Sequence, residues 1–447
     1  MSASHIVRTE MKHTILLLAA LGLAGALQAQ EAGRIHRTEV IPYDTRHDAE
    51  AHNRAGVEAY REFKPRMLAA EGELVIAGQS IEIPYAWTDG NVYLHIENAG
   101  LPYRLTVNGE FVAQCEDAVT PAEFALTPYI REGENTLLLE MTQGAAAAID
   151  PEVTPREPFA GSYLYMQNKR SIRDFTISLE PDPEGREFGV LRLDIVAQNS
   201  YNYDEPVTVG YDIYSPQGKL LEFNMTEVTI PGRSTDTVRF DPYIYGTYAN
   251  KWEGGAKSAP LYKVMLFTRR NGVYKEYMPL KIGFGKTELR DGKLMRLGKE
   301  ITLKRVRCNA GAGADADATR RELLRLKSQG YNTVCPDYPQ PAWFYALCDQ
   351  TGLYVIDRAA ISAPERRGDR TVGGTPSNDP RLADEYLERV KAMYYRSRNF
   401  TCVVAFALGA PSGNGYNMYK AYEWLKSVEK SRPVIYEDAD GEWNSDL

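Results

Sequence analysis

The chain has 447 residues, a formal net charge of −8 and a pI near 5.5. That length exceeds what one hydrophobic core supports, so about two to four domains are expected. The acidic balance, with no basic run, argues against a nucleic-acid partner.

Lys12 and His13 precede a mostly apolar run from Thr14 to Leu27, followed by Gln28-Ala29-Gln30. This pattern predicts a signal peptide over 1–29, with initiation at Met11 and cleavage after Ala29. No Cys follows the cleavage point, which argues against a lipid anchor, and no later stretch has the length and apolarity of a membrane span. The expected location is outside the cytoplasm: periplasmic, outer-membrane-associated or extracellular. Five cysteines leave at least one unpaired; Cys308, Cys335, Cys348 and Cys402 lie in apolar runs, where buried thiols are the ordinary state. Cys308 and Cys335 close consecutive predicted strands, and a disulfide between them is left open. No His or Cys spacing matches a metal site, and no cofactor is expected. The 29 tyrosines suit β-sheet packing, although aromatic faces also stack on sugar rings.

After a polar leader to about Leu68, short alternating strands begin. Val92 to Ile96 and Tyr103 to Val107 are followed by Asn108-Gly109, a two-residue hairpin signal. Glu110 to Gln114 returns, and Asn135 to Met141 is a further strand, so the region to Pro181 is predicted as an all-β sandwich. Pro181 to Gly185 (PDPEG) looks like a linker. Strands are then predicted over Leu191–Ala197, Val207–Tyr214, Glu227–Ile230, Thr237–Phe240, Leu261–Phe267 and Tyr277–Ile282, the density of an immunoglobulin-like sandwich.

From Ile301 the period changes. Strands at Ile301–Cys308, Thr333–Cys335, Leu353–Asp357, Cys402–Leu408 and Val434–Glu437 alternate with helices at Asp317–Gln329, Ala342–Thr351, Asp379–Ser397 and Asn417–Val428. Strict alternation implies a parallel sheet with right-handed crossovers.

This order resembles glycoside hydrolase family 2, the β-galactosidase family. The Val-Asn-Gly hairpin, Pro121-Ala122-Glu123-Phe124 and Gly133-Glu134-Asn135 resemble the family's sugar-binding sandwich. Ile172-Arg173-Asp174 is similar to its step into the second domain. LCDQTGLYVID (Leu347–Asp357), SRNF (Ser397–Phe400), ALGAPSG (Ala407–Gly413) and SRPVIYE (Ser431–Glu437) resemble successive landmarks of its barrel. The resemblance implies a signal peptide (1–29), a jelly-roll-like, galactose-binding-like sandwich with its leader (30–181), an immunoglobulin-like sandwich (182–285) and an incomplete (β/α) TIM-type barrel (286–447).

It also implies where chemistry should sit. The family's fourth strand ends in Leu-Gly-Asn-Glu-Ser-Gly, whose Glu is the general acid/base; here Ala410 replaces the Asn and Pro411 the Glu. Retaining hydrolysis needs two carboxyls about 5–5.5 Å apart, and proline has no proton to give. Arg307, Cys308, Asn309, Ala310 and Gly311 stand for Asn-Arg-His-Glu-His after the first strand. Cys335, Pro336, Asp337, Tyr338 and Pro339 stand for Arg-Thr-Ser-His-Tyr-Pro after the second. After the third, Asp357 remains, Arg358 replaces the Glu, and no His follows before Asn399. The nucleophilic Glu belongs to a later strand than the sequence reaches.

The expectation is an exported β-galactosidase-like protein that leans away from catalysis and acts in glycan binding or in an assembly. The alternative is a glycoside hydrolase completed by another chain or using other residues. A shallow or collapsed pocket is expected at the strand ends, with Asn309, Asp337, Tyr338, Asp357, Arg358, Asn414 and Tyr416 as its candidates. An inward face of Val334, Val355, Val403 and Ala405, and a bare edge at Val434–Glu437, would call for a homo-oligomer or a partner protein, the Asp438–Leu447 tail being short and acidic.

Overall fold

The computed structural model describes residues 33–39, 41–54, 57–142, 144, 146–153, 157–310 and 315–447. The expected signal peptide and Gly311 lie outside them.

The first β unit consists of two antiparallel sheets. One orders Tyr60–Glu62, Tyr163–Asn168, Gly90–Ile96 and Ala122–Ala125; the other orders Arg66–Glu71, Leu74–Ile83, Gly133–Met141, Tyr103–Val107 and Glu110–Cys115. Alternation puts Val92, Leu94, Leu105, Val107, Leu137 and Leu139 into one core. Asn108 and Gly109 both take positive φ (52° and 83°), as a type I′ hairpin demands. The Asn108 amide donates to Asn135 Oδ1 at 2.8 Å and to the Tyr129 carbonyl, tying the two sequence landmarks together.

In the second β unit, Arg170–Pro181, Phe188–Asn199 and Ser234–Phe240 form one sheet, with Tyr243–Tyr245 beside it. Leu220–Ile230, Glu205–Tyr214, Tyr262–Arg270 and Val273–Ile282 form the other. Leu193, Ile195, Val209, Tyr211 and Leu266 fill the space between. The expected linker at Pro181–Gly185 is corrected here. Arg170–Pro181 pairs antiparallel with Phe188–Asn199, so PDPEG is the hairpin turn inside this unit, and the unit starts near Arg170 rather than 182. Proline and glycine mark turns and linkers alike, and only strand pairing separates the two.

A three-stranded meander (Thr287–Arg290, Lys293–Arg296, Lys299–Glu300) leads into a five-stranded parallel sheet. Its strands are β1 (Arg305–Arg307), β2 (Thr333–Cys335), β3 (Tyr354–Arg358), β4 (Val403–Ala407) and β5 (Val434–Ile435), in that spatial order. The crossovers carry α1 (Ala316–Ser328), α2 (Ala342–Thr351), α3 (Ala383–Ser397) and α4 (Tyr416–Val428). Asp315 caps α1, and Gly352 ends α2 in the left-handed conformation. Val334, Val355, Val403, Val404 and Phe406 pack with Leu323, Phe344, Val390, Met393 and Leu425 of the helices.

The expected inward face is therefore wrong for three of its four residues. Val334, Val355 and Val403 belong to the helix-side core, and the opposite face is Ile356, Ala405, Ala407 and Ile435. The pairing runs Val355 with Val403 and then Ile356 with Ala405, so β4 carries one extra residue that breaks a simple count of two. All four inward residues are at most 8% exposed, so no broad apolar face is bare. The β5 edge is also occupied. Asp446 Oδ2 accepts from Val434 N, Asp446 N donates to the Val434 carbonyl, and Ser445 Oγ accepts from Tyr436 N. The tail judged too acidic to cover this edge covers it through its polar groups.

No helix among the described residues is long and apolar enough to cross a membrane. All five thiols are free, Cys308 and Cys335 included.

Candidate site at the strand ends

In βα architectures the C-terminal ends of the strands carry the chemistry. At the end of β4, Gly409 lies against Ile361 so closely that a Cβ there would come within 2.9 Å of the Ile361 Cβ. Ala410 N donates to the Ile361 carbonyl at 2.8 Å. Ser412 is fully buried: its hydroxyl donates to the Ala410 carbonyl and accepts from Ala363 N, while its carbonyl accepts from Thr375 Oγ1 and Ser377 Oγ. Gly413 N donates to Asp438 Oδ2 at 2.7 Å, and Tyr436 OH donates to the Gly413 carbonyl. The segment between β3 and α3 thus packs over the turn that holds Ala410 and Pro411. Pro411 has no titratable group, and a hydrogen-bonded turn stands in its place.

The other ends supply a small polar cluster. Asp337 Oδ2 accepts from Arg307 Nε and Asn309 Nδ2, both at 2.6 Å, and Asp337 N donates to Asn309 Oδ1. Arg358 lies 3.7 Å from Asp337 and 3.9 Å from Glu437. Beside it is a cavity of about 220 Å³ on the inward face, lined among others by Arg305, Arg307, Cys335, Arg358, Ala407 and Glu437. Three of the sequence candidates, Asn309, Asp337 and Arg358, therefore come together.

Four do not. Asp357 is fully buried on the helix side, where Tyr345 OH donates to its Oδ1 at 2.8 Å; burial pushes its carboxyl up to about 6. Tyr338 packs with Val119 and Ala360, against the first β unit. Asn414 is buried in a reciprocal amide pair with Asn444. Tyr416 is the exposed first residue of α4. Alternation explains Asp357: it pairs with Phe406, a helix-side residue, while its neighbour Arg358 pairs with inward Ala407. In the sequence Glu437 stands only as the end of the fifth predicted strand, and Arg307 only as a family position. The second of two inward arginines on β1, two residues after Arg305, was the available signal.

Among the described residues no group of His, Cys, Asp and Glu could hold a metal ion.

The third unit and its neighbours match known proteins. Residues 288–446 match the model for the glycosyl hydrolases family 2, TIM barrel domain. The β-galactosidase of Priestia megaterium is 28% identical over 369 residues, 78% of this chain and 35% of the relative. That of Vibrio cholerae is 29% identical over 348 residues, 75% and 33%. The chain thus spans about a third of the length of these curated relatives. Among solved structures, a β-glucuronidase of Bacteroides uniformis superposes with a TM-score of 0.67 at 16% identity, over 81% of this chain and 46% of that one. A β-glycosidase of Bacteroides vulgatus gives 0.67 at 17%, over 83% and 47%. These likenesses are of fold, and they span all three units. The barrel-domain match over 288–446 and the β-galactosidase relatives together support the reading of this chain as a member of glycoside hydrolase family 2.

Proposed function

We propose that this is an exported, non-catalytic family 2 protein that works in glycan binding or as a component of an assembly. The observation that carries this reading is the end of β4. Where the family's acid/base stands, Pro411 sits in a turn fixed by Ser412 and covered by the Ile361–Ser377 segment. A retaining glycosidase needs one carboxyl poised to protonate the leaving oxygen and a second to attack. Asp337 is held by Arg307 and Asn309, and Asp357 faces the helices. The layout we favour is a jelly-roll-like sandwich from residue 30, an immunoglobulin-like sandwich and a partial barrel. Residues 1–29 act as the signal peptide, so mature protein outside the cytoplasm begins near Gln30. Intact-mass measurement of cell fractions checks this, and full-length protein kept in the cytoplasm would contradict it. A homo-oligomer or partner has one strand edge of the parallel sheet left to cover, β1, whose exposed Arg305 and Arg307 guard it.

One observation favours the second reading, a hydrolase that uses other residues. Asp337 and Glu437 both lie near Arg358 beside an open cavity. The two readings part on one variant. With aryl glycosides as substrates, Asp337→Ala changes nothing under the first reading and abolishes turnover under the second.

A further inference from the structure

A second cleft lies at the other end of the sheet. It encloses about 580 Å³ between the second β unit and the parallel-sheet unit. Asn399–Val403, which leads into β4, and Ser431–Arg432, which leads into β5, form one wall; Thr176–Glu180, Arg192–Asp194 and Arg239–Asp241 form the other. The volume lies in the range of small-molecule sites. On an acidic protein this lining is cationic, with six Lys and Arg side chains against three Asp and Glu.

Five of those cations have carboxylate partners. Arg239 pairs with Asp194, Arg192 with Asp241, Lys286 with Glu180, Arg398 with Asp174 and Arg432 with Glu429. Arg296 is the exception. It is 4% exposed, and among the described residues no carboxylate lies within ion-pair distance of it. Its Nη1 donates to Thr287 Oγ1 at 2.8 Å, its Nη2 makes only a long contact of 3.4 Å to the Trp252 carbonyl, and its buried Nε has no partner. The Nε–Nη2 edge faces Gly285, where a Cβ would come within 2.6 Å of Nη2 and 2.7 Å of Nε. A glycine therefore leaves out the side chain that would fill this edge of the guanidinium, where the unpartnered Nε lies. A buried, unpaired charge is costly to keep unless something pairs with it. The Nε–Nη fork matches the two oxygens of a carboxylate, or two oxygens of a phosphate or sulfate group.

We propose that this cleft binds a small molecule bearing an oxyanion group, whose charged end docks on the Nε–Nη2 edge of Arg296 beside Gly285. The three acidic side chains of the lining would accept hydrogen bonds from hydroxyls on the rest of such a ligand. The site is independent of the strand ends, where Pro411 lies, and the proposal stands whether or not the protein hydrolyses glycosides.

The test is calorimetric titration of the mature protein with sodium phosphate and with sodium glucuronate, against sodium chloride at equal ionic strength and against glucose. Saturable binding of phosphate or glucuronate, with none of chloride or glucose, is expected. Arg296→Met keeps much of the side chain's bulk and removes the charge, and it should weaken that binding at least tenfold. The melting midpoint gives a second readout. Arg296→Met should melt at or above wild type without anion, because it removes an unpaired buried charge, and should lose the rise that phosphate gives wild type beyond any general salt effect. Binding to neither probe, or equal binding by wild type and Arg296→Met, would overturn the proposal. Should Arg296→Met not fold, Gly285→Ala tests the same edge by filling it, and unchanged affinity there would be equally damaging.

Discussion

Ser412 Oγ joins the Ala410 carbonyl to the Ala363 amide, and this pair of bonds fixes the turn in which Pro411 sits. Pro411→Glu would return a carboxyl to the family's acid/base position without a second one facing it. The expected result is no measurable release of aryl aglycone, and turnover by that variant would mean that a partner carboxylate exists. Buried acids elsewhere set a pH dependence. Desolvation pushes Asp349 and Glu276 up to about 7 and Asp357 up to about 6. Each binds its proton more tightly folded than unfolded, so its contribution is complete below about pH 4 and is lost as pH rises through 6 to 7. Glu388 and Glu429 behave oppositely. The His36 hydrogen bond and the charge of Arg432, respectively, outweigh burial and bring them down to about 2, so their contribution is present above about pH 4.5 and fades as pH falls toward 2. Stability should therefore peak on the acid side of neutrality. Asp349 accepts from Cys402 N at 2.7 Å, a bond that an amide oxygen can keep. Asp349→Asn should flatten the decline in urea midpoint between about pH 5 and 8, and an unchanged slope would show that Asp349 ionises freely in the fold.

The α3 helix holds the sheet unit against the first β unit through its fully buried Arg389. That guanidinium meets Glu385 one turn before it and Asp150 across the junction, and it also donates to the Ala360 carbonyl at 2.6 Å. Removing one member of a buried ionic cluster leaves the others uncompensated. Arg389→Met should cost roughly 3–5 kcal/mol, read as a fall in urea midpoint, and a loss within measurement error would place the junction's strength elsewhere. Elements were the most legible part of the sequence. Periodicity found all five parallel strands and all four helices between them, and the Asp315 N-cap of α1 and the Gly352 stop of α2 marked two of the helix ends. Their facing was less legible. One extra residue in β4 moves Val403 to the helix side, and no count along a single strand shows it. The segment between β3 and α3 has only short 3₁₀ turns, so its packing over Pro411 through Thr375 and Ser377 left no periodic trace. The departure of the strand ends from the family's pattern was plain in the residue types. What replaced it depends on contacts distant in the chain.

At the scale of the whole molecule, three units are locked by charge and by one aromatic. Trp252, fully buried, donates from Nε1 to the Asp349 carbonyl and meets Tyr354 edge-on, linking the second β unit to the sheet unit. Arg396 joins α3 to Glu97 of the first unit, and Arg398 joins the residues after α3 to Asp174 of the second. Such a junction keeps the β units in place around the parallel sheet. The most direct measurement is hydrolysis of aryl glycosides of several sugars, neutral and acidic, by the purified mature protein. A non-catalytic family member should release aglycone no faster than buffer for every sugar. Saturable turnover that disappears in Asp337→Ala or Glu437→Ala would contradict that account.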